Sequence, residues 1–270
     1  RRGHANLHGM SAPIDPSVDG DGWTMNDVAD AVHAQGGLFC VNHPFSGLLG
    51  WRADDFDWRN ADAMEVVHAL EGPGNVMQQG LWDHHLRAGR HIVGVAGTDS
   101  HDPDNGDHRL GRLVNWVYAY EQSESGIVDA IRRGRVVASR GPFVDFRARR
   151  SAESSHETNE DEGQLYGLWD TIPCPSPPGE IELSVGVHTP EPVRVFVLKD
   201  GLPFVHGWVA PNAAGVAQFV ARDIPAAACY YRVELHSRFP GAGEEAQWKL
   251  DAWRDHRTLL ALTNPIFASA

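Results

Sequence analysis

Apolar residues recur at helical spacing over residues 26–35, where Val28, Ala31 and Val32 share one face, Asn26 stands where an N-cap belongs and Gly36-Gly37 supplies the stop. Residues 38–42 (LFCVN) follow as a continuous apolar block, which predicts a buried strand. The same reading predicts a strand at 63–68 (AMEVVH), a helix at 76–88 ending at Gly89, and a strand at 91–96 (HIVGVA). A fourth strand over 112–120, a helix over 125–133 stopped by Gly134 and a fifth strand at 136–139 continue the series. Alternation of short apolar strands with helices argues a parallel α/β sheet or barrel for residues 1–148.

The texture changes at Arg149. Residues 149–180 are polar, acidic and Pro-rich, as an exposed linker or long loop would be. Beyond them, short β-like runs at 181–187, 193–198, 217–221, 230–236 and 259–263 alternate with turn residues. This spacing predicts a small β-sandwich of the immunoglobulin-like kind over 181–270.

Composition narrows the function. The chain carries 36 acidic residues against 23 basic ones, a formal charge of −13, and only Lys199 and Lys249 are lysines. With no basic run, a nucleic-acid or anionic-membrane partner is not expected. No apolar run approaches the roughly 18 residues of a membrane helix, so a soluble chain is expected. Cys40, Cys174 and Cys229 are odd in number and far apart, which suggests neither a disulfide framework nor a CxxC zinc site. Histidine is enriched instead: of 15, ten lie within the first 108 residues. That density favours a metal or acid/base site there. The chain opens Arg1-Arg2-Gly3 and its first methionine is Met10, the look of the later portion of a longer protein, with any targeting leader upstream and the compartment open.

Polar residues at the ends of apolar strands carry the chemistry. His43 follows LFCVN and precedes Pro44, which predicts an extended backbone and a fixed direction for the imidazole; the alternative is a histidine that plugs a strand end. Asp99 and His101, in Gly-Thr-Asp-Ser-His after HIVGVA, are two apart, so an extended segment points both to one side. The alternative is a polar turn capped by Asp99. His4 and His8 in GHANLHG are two further candidate imidazoles. Glu65 sits among apolar neighbours, and a buried carboxylate needs a charge, a hydrogen-bond or a metal partner, so an arginine pairing competes with a site role. His108 and Arg109, in the loop after the Asp-x-His pair, are candidates to meet a substrate anion. His33, His84, His85 and His91 lie on or beside helices, where solvation or packing explains them. No GxSxG, P-loop or GxGxxG occurs, so serine-triad hydrolysis and nucleotide binding have no support.

Taken together, GHANLHG at 3–9, GGLFCVNHPF at 36–45, AMEVVH at 63–68, LWDHHLRAGRHIVGVAGTDSH at 81–101 and LTNPIF at 262–267 resemble the later part of a PHP-superfamily (polymerase and histidinol phosphatase) domain. The likeness is to the CehA/McbA-type metallohydrolases that include carbaryl hydrolase. The resemblance implies that His4, His43, Asp99 and His101 are metal ligands, that Asp99 and His101 act in catalysis, and that Glu65 lines the site; His68, His108 and Arg109 are expected to line it by their positions in the sequence. His8 matches a variable family position and drops out, and His68 stands where such members usually carry Asn. The family's opening His-x-His strand, Thr-Asp-His-type motif and Gly-x-Glu motif are missing from this chain.

By the same resemblance, residues 1–148 form the later part of a distorted (β/α)7 PHP-type barrel, incomplete at the N-terminus, with its metals at the carboxyl ends of the strands. The implied activity is metal-dependent hydrolysis, a metal-bound hydroxide attacking a phosphoester, carboxylic ester, carbamate or amide of a small-molecule substrate. Zinc, manganese and iron all suit the mixed ligands. The competing expectation is a truncated, inactive homologue that keeps its β-sandwich as an interaction or glycan-binding module. Oligomeric state is left open.

Overall fold

A computed structural model describes residues 3–14, 22–69, 72–102, 104, 109–151, 163–174, 179–237 and 257–269. The chain divides into two compact units, Arg1–Val136 and Val137–Ala270.

In the first unit β1 (His4–His8), β2 (Leu38–Asn42), β3 (Ala63–His68) and β4 (Val93–Gly97) form one sheet in that order. β1 lies antiparallel to β2, while β2, β3 and β4 run parallel. Every residue of β2 and β3 is buried, which is why both read as apolar blocks rather than as alternating patterns. α1 (Met25–Ala34) leads into β2, and α2 (Pro73–Arg87) makes the crossover from β3 to β4. Thr24, not Asn26, caps α1: its hydroxyl accepts the Asp27 N–H while the Asp27 carboxylate accepts the Thr24 N–H, a reciprocal pair that satisfies two donors at once. α2 begins three residues earlier than its apolar period predicts, because Pro73 suits the first helical turn, where its missing N–H costs nothing. The Trp82 indole N–H donates to the Ile92 carbonyl at 2.7 Å, and a Cβ at Gly94 would lie 2.8 Å from the Trp82 ring. Only glycine lets α2 approach β4 so closely. β5 (Val114–Val117) and α3 (Glu124–Arg132) complete the unit, with the Asn115 amide bonded to both the N–H and the carbonyl of Ala96 at 2.8 and 2.9 Å.

The expectation of a (β/α)7 barrel is overturned. Strands hold 41% of residues and helices 18%, with three helices and no closed barrel among the described residues. The physical reason lies in the connections. β1 reverses direction, the β2–β3 link carries only the single 3-10 turns Gly47–Leu49 and Trp58–Asn60, and among the described residues β3 and β4 are the one parallel pair of this sheet joined through a helix. A sheet so built stays open.

The second unit is all strand among its described residues. β7 (Phe143–Arg150), β9 (Ile181–His188) and β12 (Val216–Asp223) form an antiparallel sheet in the order β12-β9-β7. Its buried face carries Val144, Phe146 and Ala148 from β7 and Ile181, Leu183, Val185 and Val187 from β9. A larger sheet runs β11 (Leu202–Val209), β10 (Val193–Lys199), β13 (Cys229–His236), β14 (Leu259–Thr263), β6 (Val136–Ser139), with β15 (Ile266–Ser269) on β13 and β8 (Thr171–Pro173) parallel to β15. On β13, Arg232, Glu234 and His236 are fully buried, with Arg232 Nη1 donating to Glu234 Oε1 at 2.5 Å and His236 Nε2 3.2 Å from Glu234 Oε2. Nearly all of residues 136–148, which the sequence pattern assigns to the first domain, fall in this second unit. Of the expected linker at 149–180, Arg149 and Arg150 end β7, Tyr166 bridges Ala148 and 171–173 form β8; 152–162 and 175–178 lie outside the described residues. Among the described residues, no helix is long and apolar enough to cross a membrane.

Candidate metal site

The carboxyl ends of β2, β3 and β4 lie side by side, and each delivers one polar side chain. His43 directly follows β2, His68 is the last residue of β3, and Asp99 stands two residues beyond β4. Their ligand atoms all lie within 4.8 Å of one another, and His68 Nε2 is 3.9 Å from Asp99 Oδ2. Because β1 is antiparallel, His4 sits opposite Asn42 at the same end of the sheet, with its Nδ1 3.1 Å from His43 Nε2.

Two backbones bend to make this convergence. His43 has φ 26° and Asp99 φ 49°, both in the left-handed region that non-glycine residues avoid. The extended conformation expected for His43 before Pro44 is therefore not adopted. Instead the His43 carbonyl accepts the Ser46 N–H at 2.9 Å, closing a turn with Pro44 at its second position. Such strain costs on the order of 1–3 kcal/mol per residue and persists where the surroundings dictate it.

Fixed groups hold the two histidines. Glu65, buried in β3, accepts the His43 backbone N–H at 2.8 Å and lies 2.9 Å from His43 Nδ1, both through Oε2. The arginine partner weighed for Glu65 is thus not its described partner; a histidine is. Burial pushes the His43 imidazole pKa down, but the Glu65 hydrogen bond and the charges of Glu65 and Asp99 outweigh it, so the net shift is upward. The Asn75 amide, from the first turn of α2, accepts the His68 N–H at 2.7 Å and donates to the His68 carbonyl at 3.1 Å. Gln78 Nε2 donates to Asn75 Oδ1 at 3.1 Å. Beside His68 a cavity of about 140 Å³ is lined by Phe45, Ser46, Gly72, Gly74, Asn75 and Gln78.

His101, its side chain 83% exposed, stays beside Asp99, with Nδ1 2.8 Å from the Asp99 carbonyl and 3.7 Å from Asp99 Oδ1, but is not one of the three converging residues. The extended backbone assumed for Asp99 is not adopted, with φ 49°, yet His101 Nδ1 still lies 3.7 Å from Asp99 Oδ1. His4 is exposed and reaches His43 without joining the three-residue group. Arg109 is exposed, and His108 lies outside the described residues. His8, half-buried, has its imidazole pKa lowered by burial. His68, read from the sequence only as lining, comes to ligand distance; the available signal was its place as the last residue of an apolar strand.

No family model and no curated protein sequence matches the chain. The chain is similar in structure to a two-domain protein containing a predicted PHP-like metal-dependent phosphoesterase from Bacteroides vulgatus. The identity is 14%, with 91% of this chain and 67% of that chain covered and a TM-score of 0.36.

Proposed function

We propose that the chain binds a divalent cation between His43, His68 and Asp99 and is a metal-dependent hydrolase acting on a small ester, phosphoester, carbamate or amide. The observation that carries this reading is the convergence of three ligand groups, from three successive strand ends, to within 4.8 Å. The donor set fits. Two imidazoles and a carboxylate suit zinc, manganese or iron, and a His43 ring whose Nδ1 faces Glu65 keeps Nε2 for a metal. Such a metal, when bound, polarises the bond to be cleaved and makes a water acidic enough to attack near neutral pH. The chain's own residues do the rest. Asp99, 29% exposed, faces solvent as the anionic member of the set, while His43 and His68 are almost fully buried. The cavity beside His68 offers room for one small substituent flanking the scissile bond, its walls two glycines, an aromatic ring and polar side chains.

Metal analysis of the protein and of His43→Ala, His68→Ala, Asp99→Ala and His84→Ala tests the reading. Bound zinc or manganese should fall sharply in the first three and stay unchanged in His84→Ala, whose histidine is exposed on α2. Equal metal in all four refutes the site. Metal uptake without turnover of phosphoester, aryl ester or carbamate substrates would favour the non-enzymatic alternative.

A further inference from the structure

We infer that Glu65 is a positioning residue that sets the tautomer and orientation of His43, and that Gly97 is the glycine that makes room for it. The inference rests on the metal reading above and deepens it. A neutral imidazole has one lone pair, and it faces the site only if the proton is on the other nitrogen. Glu65 Oε2 lies 2.9 Å from His43 Nδ1 and accepts the His43 backbone N–H at 2.8 Å. One oxygen thus fixes both the ring's proton and the turn of the backbone. A carboxylate can only accept, so the proton goes to Nδ1 and the lone pair to Nε2. That nitrogen is the one 3.1 Å from His4 Nδ1, so with the His43 proton on Nδ1 the donor of this contact is His4.

The other oxygen explains Gly97. Strand β4 passes Glu65 so closely that a Cβ at position 97 would lie 1.9 Å from Glu65 Oε1 and 2.5 Å from its Cδ. No rotation of a methyl relieves an overlap of that size, so any side chain at 97 evicts the carboxylate. Gly97 opens the Gly-Thr-Asp-Ser-His segment, and its lack of a side chain serves His43, across β3, rather than Asp99 next to it.

The test compares the unaltered protein with Glu65→Gln, Glu65→Ala and Gly97→Ala, each checked for folding by circular dichroism. Long-range proton–nitrogen NMR of His43 in the metal-free protein, at a pH where the ring is neutral, reads the tautomer; zinc titration against a chromophoric chelator reads affinity. The unaltered protein should carry its proton on Nδ1. Glu65→Ala and Gly97→Ala should move it toward Nε2 and weaken zinc binding by about 10–100-fold, the usual cost of losing a group that orients a metal-bound histidine. Glu65→Gln, which can still accept through its oxygen, should keep the tautomer and lose less affinity. If Glu65→Ala does not fold, Gly97→Ala and Glu65→Gln decide the matter. A His43 protonated on Nε2 in the unaltered protein, or Gly97→Ala with unaltered tautomer and affinity, overturns the inference. Failure of the unaltered protein to take up zinc or manganese overturns the metal reading instead, while the tautomer comparison still decides the role of Glu65.

Discussion

His85, near the end of α2, is the clearest acid-sensitive point of the first unit. The residue is 3% exposed, lies against Trp58 with ring centroids 4.5 Å apart at a tilt of 34°, has Nδ1 3.3 Å from Arg90 Nη1, and among the described residues buries Nε2 without a hydrogen-bond partner. Burial, then the charges of Arg90 and His84, push its pKa from 6.5 down to about 4. The folded protein therefore resists a proton that the unfolded chain accepts. This contribution is intact above pH 6.5, is lost as pH falls from 6.5 to 4, and loses nothing further below that. At about 1.36 kcal/mol per pKa unit, the 2.5-unit gap is worth roughly 3 kcal/mol in full and about 2 kcal/mol between pH 7 and pH 5. Urea denaturation at half-unit steps from pH 7.5 to 4, on the unaltered protein and on His85→Leu, isolates it, because every other titrating group is common to both. The variant's absolute stability matters less than its slope. The stability of the unaltered protein should fall more steeply by about 1 kcal/mol per pH unit near pH 5. Parallel slopes, or an NMR titration of His85 with its midpoint near 6.5, would refute the reasoning.

Two further changes test other parts of the structure. Asn75→Ala removes both bonds to the His68 backbone; it should cost about 1–3 kcal/mol in urea denaturation and weaken zinc binding, and unchanged zinc affinity would show that His68 needs no such clamp. Glu234→Leu removes the carboxylate that faces Arg232 and His236 in the interior of the second unit, where the charge of Arg232 helps hold the Glu234 carboxyl down at about 2 against burial. Breaking a buried pair from one side costs about 3–5 kcal/mol, so the melting temperature should drop markedly, and an unchanged melting temperature would refute the pairing.

Apart from β1, which the apolar pattern does not predict, the strands and helices of the first unit were legible because they are local. Apolar blocks at β2 and β3 and glycine stops after α1 and α2 each act within a few residues, whereas the start of α2 at Pro73 lies ahead of the apolar period. Which strand pairs with which is not local. Nothing in HANLH announces that β1 runs against β2, and that reversal turns an apparent βαβ series into an open sheet. β7 shows the converse. FVDFRARR buries Val144, Phe146 and Ala148 while Asp145 and Arg147 stay half-exposed and Arg149 exposed, a period of two that marks a strand with one wet face. The sequence pattern instead places a change of texture at Arg149 and divides the chain there, inside a strand that belongs with β9.

The site separates in the same way into what strand ends reveal and what backbone torsions decide. A histidine or aspartate that terminates an apolar strand is visible in the sequence, and His43, His68 and Asp99 all meet that description. The direction each side chain takes is set by φ, and here both spacing arguments assumed extended backbone. With Asp99 at φ 49° the chain turns at the aspartate, and its carboxylate lies between the buried His68, 3.9 Å from Oδ2, and the exposed His101, 3.7 Å from Oδ1. With His43 at φ 26°, its N–H and Nδ1 both face Glu65. A histidine that merely filled a strand end would relax to an unstrained φ, since packing alone rewards no particular ring nitrogen. That two of the three converging residues are strained, at the ends of different strands, means that side-chain direction at this end of the sheet is held against the backbone's own preference. Glu65 and Gly97 are where the sequence records the means of holding it.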